Sequence, residues 1–508
     1  MMQQISRARA RVNPKVAVLL PMVWSVRNVV YSGALDRLAR EGVSVHLFVR
    51  QGSSPDHEAY DETFSAAAAH EPLLYSAGRH ARGKALLDGI VRSAFSRRHS
   101  IASYALYRHW FNRNDGPALR IRSAAIEAMG AACQAQLPFN ALCRMTERLY
   151  RRSHDLTDVR AQLARCRPDL LWSTVCISPR EYPYIIAARD LGIPVVTSIL
   201  SFDNLTSRGR LPRFDRYLVW NERMRDRLLR FYPYIAPADV MVTGTPQFDF
   251  HRRPEFHWSR ERTLERLGLP PRSRYFLYST SHISLAPEEP ALVQQIAARL
   301  RESDTLAQHQ LVVRLHPLDD GARWLGISHE FPQLRVSPAW DSVPDADCWT
   351  LSSREDQSRL VSTIAHADAC VNVASTMSLD AAILDRPVIN IDFTSERDTP
   401  RGLMYTEYEA DHYKPLVMSN GIRMARSWEE LLSLLERAVS DPTRDSRERA
   451  EMARTECGMV DGKAAQRVAD TIIGLLGETG RRRAPSPDGR TATVSSTATP
   501  PARTELAS

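Results

Sequence analysis

The chain has 508 residues and a formal net charge of +8, with 43% hydrophobic and 25% charged residues. That is a soluble globular mixture with room for two domains and a tail. No run approaches the roughly 18 apolar residues of a membrane span, and no secretory signal precedes the first apolar segment. Seven scattered cysteines (133, 143, 166, 176, 348, 370 and 457) form no CxxC, which excludes a zinc site or a disulfide frame. Such a set implies reduced thiols and a cytoplasmic setting.

Residues 1–14 are polar and basic and are expected to be disordered. Lys15 to Pro21, KVAVLLP, is a buried strand, Asn28 to Arg40 an amphipathic helix and Val43 to Val49 a second strand. This βαβ opening suits a nucleotide-binding α/β domain, although GxGxxG is absent. VWSVRNVV, between strand and helix, belongs at the carboxyl edge of the sheet, where ligands bind. Gly52 to His70 reads as loop. Residues 77–125 then carry ten basic residues and two acidic ones, Asp88 and Asp115, with Phe95, Tyr104, Tyr107, Trp110 and Phe111 among them. Aromatics mixed with arginine suit peripheral contact with anionic lipid. A solvated helical face fits equally well. No nucleic-acid module accompanies the basic stretch.

Ile121 to Cys166 is mostly helical. Strands follow at Leu170 to Thr174, Pro194 to Ser198, Arg216 to Trp220 and Asp239 to Thr243, with helices at Tyr182 to Leu191 and Glu222 to Phe231. A Pro- and Arg-rich linker is expected at 256–273, separating a first domain (15–255) from a second (274–445). The second set has strands Tyr275 to Tyr278, Leu311 to Leu315, Ala369 to Ala374 and Val388 to Ile391, and a short one at Arg335 and Val336. Its helices include Glu289 to Glu302, Ser353 to Ala365 and Trp428 to Ser440. One closing helix runs from Arg447 to Leu475 within segment 446–476, and residues 477–508 are expected to be a disordered tail.

Chemistry concentrates at strand ends of the second set. In RLHP, Arg314 and His316 share a strand face, placing an oxyanion-binding fork beside a titratable imidazole. In VNVASTMSLDAAILDRPVINIDF, Ser375 and Thr376 cap a helix whose unpaired N–H groups favour a phosphate, and Asp380, one turn on, can accept from a ribose diol. An ordinary capped α/β crossover fits that stretch as well. His282, in STSHISLAPEE, is the group there able to move a proton near neutral pH; a plain polar loop is the competing reading. In SFDNLTSRG, Asp203 is the candidate general base and Asn204 a hydroxyl ligand, although Asp-Asn is also turn chemistry. The Asp-x-Asp at Asp345 lacks a preceding strand and reads as solvated loop.

Together, VNVASTMSLDAAILDRPVINIDF, RLHP, SFDNLTSRG, LVWNERMRDRLL and VMVTGTPQFD resemble bacterial GT-B-fold transferases of surface-carbohydrate assembly. EYEADHYKPL and DGKAAQRVADTI agree with them. These enzymes are related in fold to CDP-glycerol glycerophosphotransferases and to non-hydrolysing UDP-N-acetylglucosamine 2-epimerases. The resemblance implies an α/β architecture of two Rossmann-like domains facing across a cleft, with the C-terminal helix returning to the first. It implies metal-independent transfer of a sugar from a nucleotide-sugar donor to a cell-envelope or exported glycan or lipid-linked acceptor. The donor is a co-substrate, and no cofactor is expected. His316, Asp203 and His282 are then the catalytic candidates, and Arg314, Ser375, Thr376 and Asp380 the donor ligands. CDP-alditol phosphotransfer, 2-epimerisation and an inactive binding subunit remain alternatives, because no Glu-x7-Glu pair is present and the His-Pro motif also occurs in the glycerophosphate enzymes. The implied location is cytoplasmic and peripheral to the inner membrane face, with no nucleic-acid partner.

Overall fold

The computed structural model of the chain describes residues 13–51, 63–64, 68–75, 81–112, 116–207, 209–281, 286–341, 352–394 and 406–483. Apolar runs bounded by turn residues form two sheets in which every pairing is parallel. The first contains β1 (Lys15–Leu20), β2 (Ser44–Val49), β3 (Ala69–Pro72), β4 (Leu170–Ser173), β5 (Val195–Ser198), β6 (Arg216–Val219) and β7 (Val240–Val242), in the order β3-β2-β1-β4-β5-β6-β7. The second contains β8 (Arg274–Ser279), β9 (His309–Arg314), β10 (Leu334–Ser337), β11 (Ala369–Asn372), β12 (Val388–Ile391) and β13 (Arg423–Ala425), in the order β10-β9-β8-β11-β12-β13. In both sheets the order reverses beside the first strand. That switch point opens a crevice at the carboxyl edge. The chain therefore has two Rossmann-like domains, as the resemblance implies.

Several expected boundaries move. The helix expected over 28–40 is a short turn (Val23–Val26), a wide π turn (Arg27–Tyr31) and a helix (Ala34–Arg40) separated by Gly33 at φ 86°. β9 ends at Arg314, so His316 lies in the turn beyond the strand. The loop expected over 52–70 already holds the start of the edge strand β3, and β13 was not expected. The expected closing helix is two, Ser446–Cys457 and Ala464–Arg483, and the second extends beyond 476.

The break between those helices returns the chain to the first domain. Gly458 adopts φ 80°, and a Cβ there would sit 2.3 Å from the Trp220 carbonyl oxygen, so only glycine fits. Asp249 then accepts from the Ala464 and Ala465 N–H groups at 2.9 and 2.8 Å, filling the mouth of the last helix. Val468, Ala469 and Ile472 bury against Val16, Val18 and Leu38. Burial of side chains such as Val468 and Ile472 contributes roughly 1.5–3 kcal/mol each, which anchors the helix.

The segment 77–125 differs most from expectation. Its helices are Ala81–Arg98, Ala102–Asn112 and the start of Pro117–Ala132. Phe95 is 1% exposed, stacks on Tyr232 and meets Phe231 edge-on. Tyr104 donates to Glu127 and Tyr107 to Glu407, each at 2.7 Å. These rings therefore pack inward, not onto a lipid surface. The side chains of Trp110 and Phe111 lie outside the described residues. Exposed apolar residues sit at its end and beyond, as Leu119, Ile121 and Met129 of helix 117–132 and Leu137 and Met145 of Gln136–Ser153.

Candidate functional site

Strand register assembles the site. Arg314 ends β9 opposite Ser279 of β8, and Ser279 lies opposite Asn372 of β11, three residues before Ser375. The carboxyl edges of the two sheets face each other across a cavity of about 370 Å³. Arg314, His316, Ser375, Thr376 and Asp380 line it from the second domain, and Asp203 from the first. Six of the seven candidate residues thus share one cleft. The seventh, His282, lies outside the described residues, as does the Asp-x-Asp at Asp345.

Arg314 is 6% exposed; its Nη2 donates to the Ala339 carbonyl at 3.1 Å, while its Nη1 has no hydrogen-bond partner among the described residues. A buried guanidinium with an unused donor is costly unless an anion completes it. Burial pushes this arginine down to about 10, which leaves it charged at neutral pH. In the turn beyond β9, the His316 N–H donates to the Thr280 hydroxyl at 2.8 Å, and Nδ1 accepts from the Leu318 N–H at 3.1 Å. An accepting Nδ1 fixes the neutral ring's proton on Nε2. His316 is thus preset as a donor.

Around β11 the turn is held differently from expectation. Thr376 makes no side-chain cap, and the Ser375 hydroxyl accepts only a long 3.3 Å bond from the Met377 N–H. Ala374 is left-handed at φ 44°, and Asn372 Oδ1 takes the Ser375 N–H at 3.0 Å. Asn372 belongs to a buried network in which Asn390 donates to it at 2.7 Å and Ser378 meets the Tyr413 hydroxyl at 3.0 Å. That network, rather than a helix cap, shapes the turn. Asp380 is also less free than the motif suggests, because its Oδ1 stands 2.9 Å from His251 Nε2 of the first domain.

Asp203 accepts from the Ser207 hydroxyl at 2.5 Å and from Asn204 Nδ2 at 3.2 Å, and so is held beside the cleft. Asn204 is 3% exposed and its Oδ1 accepts from the Ser201 N–H at 3.1 Å. It serves the turn and also lines the cleft.

Three residues in or beside the cleft escaped sequence reasoning. Arg27, from the π turn after β1, donates to Gln247 at 2.8 Å and lines the cleft opposite Arg314; burial pushes it down to about 10. Gln247 and His251 come from the helical turn Pro246–Arg252 after β7. The only sequence signal for Arg27 is its place between a strand and a helix. Two guanidinia, an imidazole and carboxylates thus line one cleft, an arrangement with the chemistry to bind a diphosphate joined to hydroxyl-bearing groups.

Fold and site together define a GT-B transferase that uses a nucleotide-activated donor of the nucleotide-sugar or CDP-alditol kind. Residues 203–474 match the model of the CDP-glycerol:poly(glycerophosphate) glycerophosphotransferases, and the chain belongs to that family. No curated protein matches the sequence. Among solved structures, a putative UDP-N-acetylglucosamine 2-epimerase from Listeria monocytogenes is similar at TM-score 0.52 and 11% identity, covering 92% of this chain and 97% of that one. MnaA of S. aureus, solved with UDP, gives 0.50 at 10% identity over 91% and 97%. The UDP-GlcNAc 2-epimerase of Methanocaldococcus jannaschii gives 0.50 at 11% over 91% and 99%. At such identities the likeness is one of fold.

Proposed function

We propose that the protein moves a sugar from a nucleotide-sugar donor to a hydroxyl of a cell-envelope or exported glycan or lipid-linked acceptor. The observation that carries this reading is the unused Nη1 of buried Arg314 in the cleft that Arg27 also lines. The two guanidinia hold the diphosphate, and Asp380 takes the ribose with the oxygen that His251 leaves free. An acceptor oxygen attacks the anomeric carbon, whose bond to the diphosphate breaks with both electrons leaving on the phosphate oxygen. His316 Nε2–H donates to that oxygen as its charge grows, and Asp203 takes the acceptor proton. The protein's own cations then neutralise the leaving group, so this reading needs no divalent metal.

The family match favours a second reading, CDP-alditol phosphotransfer. There the acceptor attacks the β-phosphorus and the nucleoside monophosphate leaves. The product nucleotide decides between them. Incubation with UDP- or GDP-sugars and with CDP-glycerol, in the presence of a chelator and an envelope extract, should release a nucleoside diphosphate under the first reading and CMP under the second. Absence of either product, with no nucleotide-induced rise in Tm, rejects both.

The expected membrane contact is proposed for the end of the segment 77–125 and the helix after it, on the exposed residues of helices 117–132 and 136–153. Helix 117–132 exposes Leu119 and Ile121 with Arg120 and Arg122, and helix 136–153 exposes Leu137 with Arg144 and Arg148. Arginine beside protruding aliphatic side chains suits an anionic bilayer surface. Among the described residues no helix is long and apolar enough to cross a membrane. Ile121→Asp with Leu137→Asp should abolish flotation with phosphatidylglycerol vesicles; unchanged flotation rejects this surface.

A further inference from the structure

A second cavity, of about 350 Å³, lies in the first domain between helices 81–98 and 136–153 and the loop 209–212. Ile177 lines both this cavity and the main cleft, so the two spaces adjoin. Most of its wall precedes residue 203 and lies outside the family-matched stretch.

Its chemistry is specific. Arg92 and Arg210 line it, and neither makes a hydrogen bond or an ion pair among the described residues. The charged groups around Arg92 include Asp88, while the titratable groups that act on Arg210 are the Cys143 thiol and the hydroxyls of Tyr182, Tyr232 and Tyr234, all kept neutral by burial. Asp88 is already engaged by the Tyr150 hydroxyl at 2.5 Å, and Glu147 faces Arg189 at 3.6 Å. Arg210 thus stands uncompensated in an enclosed space, which favours an incoming anion. The rings of Tyr150 and Tyr182, with centroids 4.5 Å apart and planes tilted by 41°, add an aromatic wall of the kind that packs against a polyol or sugar. The site is also built: Gly209, at φ 79°, lets the loop close onto helix 81–98, since a Cβ there would meet Arg92 Cγ at 3.1 Å.

We propose that this cavity is an acceptor subsite, binding a hydroxyl-rich segment that carries one phosphate-like anion on Arg210 and Arg92. The proposal rests on the transferase reading above and deepens it. The acceptor chain would enter past Tyr150 and Tyr182 and present its free hydroxyl beyond Ile177, toward Asp203 in the donor cleft. The anion would hold the chain one subsite away from the reacting centre.

The test uses the full-length protein and glycerol 3-phosphate as probe, with glycerol as the uncharged control, followed by ligand-observed NMR. Saturable binding of glycerol 3-phosphate and not of glycerol is expected. Saturating UDP should leave it in place. Arg210→Gln should weaken it tenfold or more, the loss expected for one charged hydrogen bond, and Arg210→Lys should weaken it less. UDP binding by both variants reports that they are folded and that the donor cleft is intact. Displacement of the probe by UDP, or equal affinity in Arg210→Gln, overturns the subsite. Failure of the wild type to bind any nucleotide, with the probe still lost in Arg210→Gln, rejects the donor reading and leaves an anion site.

Discussion

His251 Nε2 of the first domain lies 2.9 Å from Asp380 Oδ1 of the second, and the histidine side chain is 1% exposed. One contact therefore joins the turn after β7 to the helix that carries the conspicuous acid of the second domain. Neither His251 nitrogen makes an aligned hydrogen bond among the described residues, so the link is an electrostatic contact across the domain junction. Asp380 thus has a structural role as well as a place in the cleft between the two sheets.

The pair predicts coupling. Asp380→Ala and His251→Ala should each destabilise the protein by about 1–3 kcal/mol, the cost of leaving a buried polar partner unmatched. The double variant should lose much less than the sum, because each single change already breaks the contact. Urea unfolding measures this; strict additivity would mean that the two groups are merely adjacent. Asp380→Ala should also raise the donor KM, whereas His251→Ala should act mainly on stability.

Arg314 separates stability from binding. Its guanidinium is buried with Nη1 unused, so Arg314→Met should leave the Tm of the nucleotide-free protein unchanged or higher. The same change should remove the Tm rise caused by a nucleotide diphosphate, since roughly 1.5–3 kcal/mol of charged hydrogen bonding disappears. Retained nucleotide stabilisation in Arg314→Met would take Arg314 out of the donor site.

His316 is expected to act on the chemical step. Its Nδ1 accepts from the Leu318 N–H, so in the neutral ring Nε2 carries the proton that can go to a leaving group. His316→Ala should lower kcat by roughly a hundredfold or more while changing the donor KM little. Steady-state kinetics at varied donor concentration give the split. A raised KM with unchanged kcat would reassign the ring to ground-state binding.

The sequence made the interior of both domains readable, because strands buried on two faces are apolar runs with little competing signal. β3 and β13 were missed for the complementary reason. They are edge strands, Ala-His-Glu-Pro and Arg-Met-Ala, too short and polar to show a pattern. The helix break near Gly458 carried a signal in its two glycines, 458 and 462, both with positive φ. Donor-side residues were legible because they cluster at the ends of β9 and β11. Arg27, Gln247 and His251 were not, since their approach depends on how one domain docks against the other. No local spacing encodes that.

Glu181 supplies a prediction in pH. It is fully buried where the chain turns toward the helix Tyr182–Asp190, and its carboxyl is engaged by the Ser173 hydroxyl and by the Thr174 and Val175 N–H groups, each N–H at 3.1 Å. Those bonds favour the ionised form, but burial outweighs them and pushes the group from 4.5 up to about 8. The folded state therefore holds this proton more tightly than the unfolded state. Its contribution to stability is full below about 4.5 and is lost as pH rises through about 8. Glu181→Gln keeps the shape, removes the titration and retains an oxygen for both backbone donors, but its amide nitrogen cannot accept from the Ser173 hydroxyl and adds a buried N–H. The variant should be less stable than wild type at the acid end of that window, and the gap should narrow steadily toward the alkaline end. Thermal unfolding across the window measures it. A constant difference between the two proteins would show that Glu181 does not titrate there and that its backbone hydrogen bonds hold the carboxylate ionised throughout.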